Sequence, residues 1–415
     1  MNCTANWITW TLFSFLVAHY LLHLASDQLN VSSLTDEIPE TFRTVYDQEK
    51  YRQSQAYLAS HTRFGQFTGT IDLLVLLLFW FLGGFAVLDE WTRSLGWGPI
   101  FTGLAYIFCL ASAKTLFDQP FNLYATFVIE QRFGFNRTTL RTWSADRFKG
   151  LLLALLLGAP LLAGVLAFFH YSGLSAWLWC WILITLFMVG VQFVAPTWIM
   201  PLFNRFDPLP EGELKRAIMA YAASIHFPLQ NVFVMDGSKR SSKSNAFFTG
   251  FGKHRRIVLY DTLVRQHTTD ELVAVLAHEM GHYKMKHILR MMGVGIVQTG
   301  MMLYLMSLVI HTPALFDAFF VRQPSVHAGL VFFGLIYAPM DFLLGLAGHA
   351  VSRRHEFEAD RFAASTTGQF KPMVDALKKL SVSNLSNLTP HPLTVFLNYS
   401  HPPVLARIKA LEKRK

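Results

Sequence analysis

The sequence predicts an α-helical integral membrane protein: seven transmembrane helices joined to polar segments, one of which contains a small β-sheet. Three observations predict it. Of 415 residues, 52% are hydrophobic and only 15% are charged, with a mean hydropathy of +0.33, whereas soluble chains carry about 25% charged residues. The apolar residues gather into runs long enough to cross about 30 Å of hydrocarbon, which takes roughly 20 residues of helix. Between the runs, a long polar stretch contains strand-like alternation.

The runs fall at about 7–25, 70–88, 99–117, 149–169, 175–195, 288–311 and 327–350. No Lys or Arg precedes the first run and no small-residue cleavage site follows it. It therefore reads as a retained span rather than a signal peptide. Loop charge orients the set. The connections at 89–98, 170–174 and 312–326 hold only Arg93 and Arg322. The alternate loops hold Lys114, Arg132, Arg137, Arg141 and Arg147, then Lys253, Arg255, Arg256, Lys284 and Lys286, and finally Lys413, Arg414 and Lys415. These richer segments face the cytoplasm, and span parity places the acidic 26–69 loop with them. Four stretches result: 1–195 with spans one to five, 196–287 as a long cytoplasmic segment, 288–350 with spans six and seven, and 351–415 as a cytoplasmic C-terminal segment. Within 228–262, Asn231–Met235 and Ile257–Tyr260 are the expected strands.

The net charge of +9 lies beside apolar spans. The partner it implies is anionic lipid, so a bilayer is expected and nucleic acid is not. Cys3, Cys109 and Cys180 form no CxxC pair, which argues against a disulfide framework and a thiolate metal site.

Chemistry enters at His278-Glu279-Met280-Gly281-His282. Thr268 and Glu271 open this stretch with the spacing of a capping box. Residues i and i+4 share a helical face, so both imidazoles reach one ion while Glu279 stands beside it as the proton acceptor. A catalytic zinc needs a third protein ligand and an open position. His282 lies six residues before span six and Glu356 six after span seven. An out-and-back hairpin brings the two to one depth, which makes Glu356 the third ligand. Asp360 shares its helical face and orients an imidazole through its other nitrogen, whereas Glu358 points away. One Zn2+ per chain is expected, with an acidified water available for attack on a peptide carbonyl.

Other polar residues have quieter expectations. Asp72 and Asp341, within or at the edge of spans, face a cavity rather than lipid. His19, His23, His287 and His349 read as interfacial, Arg353 and Arg354 as boundary markers, and His391-Pro392 as a turn. A transporter with a regulatory metal would carry an internal repeat, and none is visible.

Several blocks carry a family resemblance. Residues 127–137 read FVIEQRFGFNR, 200–209 MPLFNRFDPL and 236–252 DGSKRSSKSNAFFTGFG, followed by RIVLYDTL at 256–263. Residues 276–287 read LAHEMGHYKMKH, 352–363 SRRHEFEADRFA and 384–408 NLSNLTPHPLTVFLNYSHPPVLARI. In this order they resemble the type I CAAX prenyl proteases. The resemblance implies His278, His282 and Glu356 as zinc ligands, Glu279 as the catalytic glutamate and Asp360 as a supporting acid. It further implies Asn245 in the substrate cleft, with His401 and Arg407 engaging substrate or the developing oxyanion. The implied fold is a ring of seven helices around a water-filled intramembrane chamber, capped by the zinc domain on the cytoplasmic side. The implied substrates are peptides or prenylated peptides. A quality-control peptidase acting on misfolded or unprenylated membrane peptides shares the same metal chemistry. Lys243 departs from the histidine frequent at that place in the family. The short 312–326 connection favours a compact chain of a bacterial inner membrane, or of the endoplasmic reticulum in a eukaryotic cell.

Overall fold

A computed structural model describes residues 5–249 and 256–413. Cys3, Lys253, Arg255, Arg414 and Lys415 lie outside the described residues. The first span is α1 (Trp7–Ser32), opened by the Asn6 side chain accepting from the backbone N–H groups of Ile8 and Thr9. A single turn at 40–42 leads to α2 (Gln48–Phe81). Its polar half buries Tyr51, Ser54 and Gln55, and Tyr51 packs with Phe42, Met373 and Leu377 near the far end of the chain. The expected 26–69 loop is therefore mostly helix, because its apolar residues cover the C-terminal segment instead of facing water.

The expected second span at 70–88 also needs correction. The helix stops at Phe81, Gly83 adopts φ +76°, and a separate helix α3 (Gly84–Ser94) follows. Only glycine holds that backbone without penalty, so it breaks an otherwise apolar run. Next come α4 (Gly98–Tyr124), lengthened by a π-helical turn at Ala125–Glu130, and α5 (Leu140–Leu153), joined through a second π turn to α6 (Ala159–Tyr171). The fifth span is α7 (Ala176–Val194), with a third π turn at Ala195–Ile199.

The polar domain begins with β1 (Phe206–Pro208) and α8 (Glu213–Ser224), followed by β2 (Asn231–Met235), β3 (Ala246–Thr249) and β4 (Arg256–Tyr260). The sheet order is β1-β2-β4-β3. β2 and β4 are parallel and the two edge strands antiparallel. β2 and β4 fall where the sequence predicts strands. The short helix α9 (Asp261–Gln266) leads to α10 (Thr269–Lys284), whose capping box between Thr268 and Glu271 forms as expected. Ile218, Val232, Ile257, Leu259, Leu276, Met280 and Ala363 make one core beneath the sheet. Each such large aliphatic side chain contributes about 1.5–3 kcal/mol on burial.

The last elements are α11 (His287–Val309), α12 (Pro313–Asp317), α13 (Val326–Thr367), α14 (Lys371–Ser383), α15 (Pro392–Asn398) and α16 (Val404–Glu412). α13 has 42 residues. It does not end at 350 but runs on through the HEFEAD block, because nothing between His349 and Thr367 breaks helical backbone. Among the described residues, seven helices are long and apolar enough to cross a membrane. No span buries more than 17% of its apolar window inside the protein, so most of each window is left facing outward or toward an opening between helices.

Candidate metal centre

α10 supplies the paired imidazoles and α13 the carboxylates. These two helices share the most extensive packing of any two elements. Gly281 makes the approach possible: a Cβ there would stand 3.1 Å from the Phe362 ring. The helices cross with His278, Glu356 and Asp360 buried and His282 partly so.

His278 Nε2 and His282 Nε2 are 3.1 Å apart. Glu356 Oε2 is 3.5 Å from the first and Glu356 Oε1 3.3 Å from the second. A tetrahedral ion with ligand bonds of about 2.0–2.2 Å needs donors roughly 3.3–3.5 Å apart, so this donor set fits zinc. Glu356 Oε2 is buried and receives no aligned hydrogen bond among the described residues, as a carboxylate oxygen kept for a cation would be.

The supporting contacts are equally ordered. His278 Nδ1 lies 2.9 Å from Asp360 Oδ1. The Arg407 fork, on α16, donates to both Asp360 oxygens at 2.8 and 2.6 Å, and its Nη1 is 3.1 Å from Glu356 Oε2. The 3.4 Å approach of Arg407 Nη2 to His278 Nδ1 is a juxtaposition rather than a bond, because that imidazole N–H is given to Asp360. His401 is largely exposed, with Nε2 3.4 Å from Glu356 Oε1. The loop carrying it is tied down by Arg353, whose Nη1 donates to the carbonyls of Val395 and Tyr399 at 3.2 and 2.7 Å. His391 caps α15 through its Nδ1.

Glu279 keeps some surface open but is otherwise walled in by protein. Burial raises its carboxyl above the usual carboxylate range, against the opposing pull of His278 and His282. His282 is raised above its ordinary value: burial opposes the shift, and the hydrogen bond and charge of Glu356 overcome it. The Asn245 side chain is turned onto its own chain, accepting from Ala246 N–H at 2.8 Å. It opens β3, an edge strand packed beside α10. Thus His278, His282, Glu356, Asp360, Arg407 and His401 come together, while Asn245 reaches the centre only through its strand.

Sequence reasoning passed over a neighbouring group, His287, His355 and Glu358, whose ligand atoms lie within 4.8 Å of one another. Its signal was the third histidine of LAHEMGHYKMKH and the first of HEFEAD. Lys243, the departure noted above, joins Glu130 at 3.1 Å and the Tyr57 hydroxyl at 2.7 Å, with its ammonium 4.5 Å from the Phe135 ring centre.

Residues 28–205 match a family described as CAAX prenyl protease N-terminal, five membrane helices, and residues 208–415 match peptidase family M48. The chain is 35% identical to the CAAX prenyl protease 1 homolog of Arabidopsis thaliana over 97% of both proteins. It is 32% identical to CAAX prenyl protease 1 of Saccharomyces cerevisiae, over 91% of this chain and 88% of that one. The crystal structure of S. mikatae Ste24p superposes with a TM-score of 0.93 at 30% identity, covering 99% of this chain and 100% of that one. Matches spanning both the membrane helices and the HExxH domain, together with a donor set sized for zinc, settle the assignment: the chain belongs to the CAAX prenyl protease group of the M48 peptidases and is a zinc-dependent membrane endopeptidase.

Proposed function

We propose that this endopeptidase cleaves peptides near a prenylated C-terminus, with one zinc ion held by His278, His282 and Glu356 and with Glu279 as proton carrier. The observation that carries the site reading is the convergence of two imidazoles on α10 and one carboxylate on α13 at the spacing a tetrahedral ion needs. When bound, zinc supplies Lewis acidity and a water acidified to a pKa of about 7. Glu279 takes the proton of the attacking water and returns it to the leaving amine, which keeps the expelled nitrogen neutral. Asp360 holds His278 in the tautomer that turns Nε2 inward, and Arg407 fixes that carboxylate from behind. His401, exposed at the rim, is placed to donate to a developing oxyanion.

An extended peptide fits the outer side of β3, which pairs with no further strand among the described residues and can take an added one. Asn245 at the head of that strand would meet the substrate backbone. Support for a prenyl group comes from the relatives' names and from the spans. Lys114 of α4 pairs with Asp72 of α2 at 3.3 Å and with Asp118, all substantially exposed. Charges at membrane depth are tolerated where they line a wet interior, and loosely packed helices leave room for one. The active site faces the cytoplasm on the evidence of the basic loops. In a eukaryotic cell the host membrane is the endoplasmic reticulum; in a bacterial inner membrane, which lacks prenylated CAAX proteins, the substrates are unprenylated membrane peptides.

The test uses the full chain in detergent, with metal measured by mass spectrometry alongside cleavage of matched prenylated and plain peptides. Glu279→Gln should retain about one zinc per chain while turnover falls about 10²- to 10⁴-fold. Undiminished turnover would remove Glu279 from the mechanism. Equal cleavage of both peptides would favour the quality-control reading over prenyl processing.

A further inference from the structure

His287 belongs to no part of the mechanism above, yet it is among the most buried polar residues in the chain, at 2% exposure. Its Nδ1 lies 3.1 Å from His282 Nδ1. Its Nε2 lies 3.1 Å from Glu358 Oε2, and Arg354 Nε donates to the other Glu358 oxygen at 3.0 Å. The His355 ring stacks on its face, with centroids 3.9 Å apart and planes 10° from parallel.

Resting on the reading of His282 as a zinc ligand, we propose that His287 is a positioning residue for the metal centre, linking His282 to the Glu358 carboxylate. His282 turns Nε2 toward His278 and Glu356, so a ligand in that pose keeps its one N–H at Nδ1. Only an acceptor can face that N–H, which assigns the lone pair of His287 to Nδ1 and its proton to Nε2. The Nε2–H then donates to Glu358. Each bond in the chain has one donor and one acceptor, and the charge of the carboxylate reaches His282 through an intervening ring. His278 obtains the same service from Asp360 directly. Orienting partners of this kind are worth about 10- to 100-fold in metal affinity.

The alternative for this cluster is a second metal ion. Ring stacking argues against it. An imidazole nitrogen holds a cation in the plane of its ring, and two nearly parallel rings face to face do not share such a point.

Competition for zinc against a chelator, in the full-length protein, reads the proposal without relying on turnover. His287→Phe keeps the ring and the stack but removes the acceptor, and should raise the zinc dissociation constant about 10- to 100-fold. His287→Asn restores an acceptor at the position of Nδ1 and should recover most of that loss, a rescue that a packing role would not give. Glu358→Ala should weaken zinc in the same direction. A thermal midpoint of the zinc-free variants close to wild type separates lost positioning from lost folding. Wild-type zinc affinity in His287→Phe, or no recovery in a folded His287→Asn, overturns the proposal. So do two ions per wild-type chain falling to one in His355→Phe, which would make the cluster a metal site. His278→Ala should lose zinc outright. Retention there overturns the ligand assignment itself, a different failure from that of His287.

Discussion

At the scale of single residues, the centre is organised by carboxylates with different duties. Glu356 stands opposite both imidazole Nε2 atoms, Asp360 is consumed by His278 and Arg407, and Glu279 is the carboxylate proposed to move a proton. Burial would suit Glu279 to that proposed role, because a base works best with a pKa near the working pH. In the zinc-free protein its carboxyl should protonate above the ordinary value of 4.5. The charged base is then present above that raised midpoint and lost as pH falls through it. Infrared difference spectra of wild type against Glu279→Gln would follow the carboxylate band, and a midpoint at or below 4.5 contradicts the prediction. Adding zinc should move the midpoint down, since a nearby divalent cation favours the anion.

At the scale of elements, the crossing of α10 and α13 decides whether the ligands meet. Gly281→Val would drive a branched side chain into Phe362, which already stands 3.1 Å from a Cβ at that position. Overpacking of this kind costs about 1–3 kcal/mol, so a lower thermal midpoint and weaker zinc binding should appear together. Unchanged values for both would show that the helices have slack. The sequence made this crossing legible because the HExxH spacing, the HEFEAD block and two intervening spans are all local patterns. What it hid has physical causes too. Gln48–Gly69 is too polar to read as part of a span, since half of α2 packs on the C-terminal helices instead of lipid. β1 contains Pro208 and is three residues long, and β3 is four, both below the length at which alternation registers. The link from His282 to His287 crosses only five positions, yet His355 and Glu358 join it from about seventy residues away. The hairpin that brings Glu356 to His282 brings these two as well, but spacing does not say which side chains meet there.

At the scale of the whole molecule, the polar domain is fastened to the membrane helices by half-buried polar clamps. Glu130, at the end of the third span, accepts from the Tyr57 hydroxyl at 2.6 Å and pairs with Lys243 of the domain. Arg240 of the same loop grips Asp146 with two hydrogen bonds and donates to the Phe203 carbonyl. Glu130→Ala leaves Lys243 and Tyr57 without their carboxylate, a loss of about 1–3 kcal/mol. The thermal midpoint should fall while the zinc dissociation constant stays within a factor of two. A large drop in zinc affinity would mean that this clamp shapes the centre directly.

The 42-residue α13 has a mechanical corollary. At roughly 1.5 Å per residue it is a strut about 63 Å long, with Glu356 about three quarters of the way along it. A strut tilts when the oil layer around it thins or thickens, and tilt swings the carboxylate past histidines mounted on a separate shaft. Turnover should therefore rise and fall with acyl-chain length in reconstituted vesicles. A flat profile across short and long lipids would mean that the anchorage isolates the reaction centre from its surroundings.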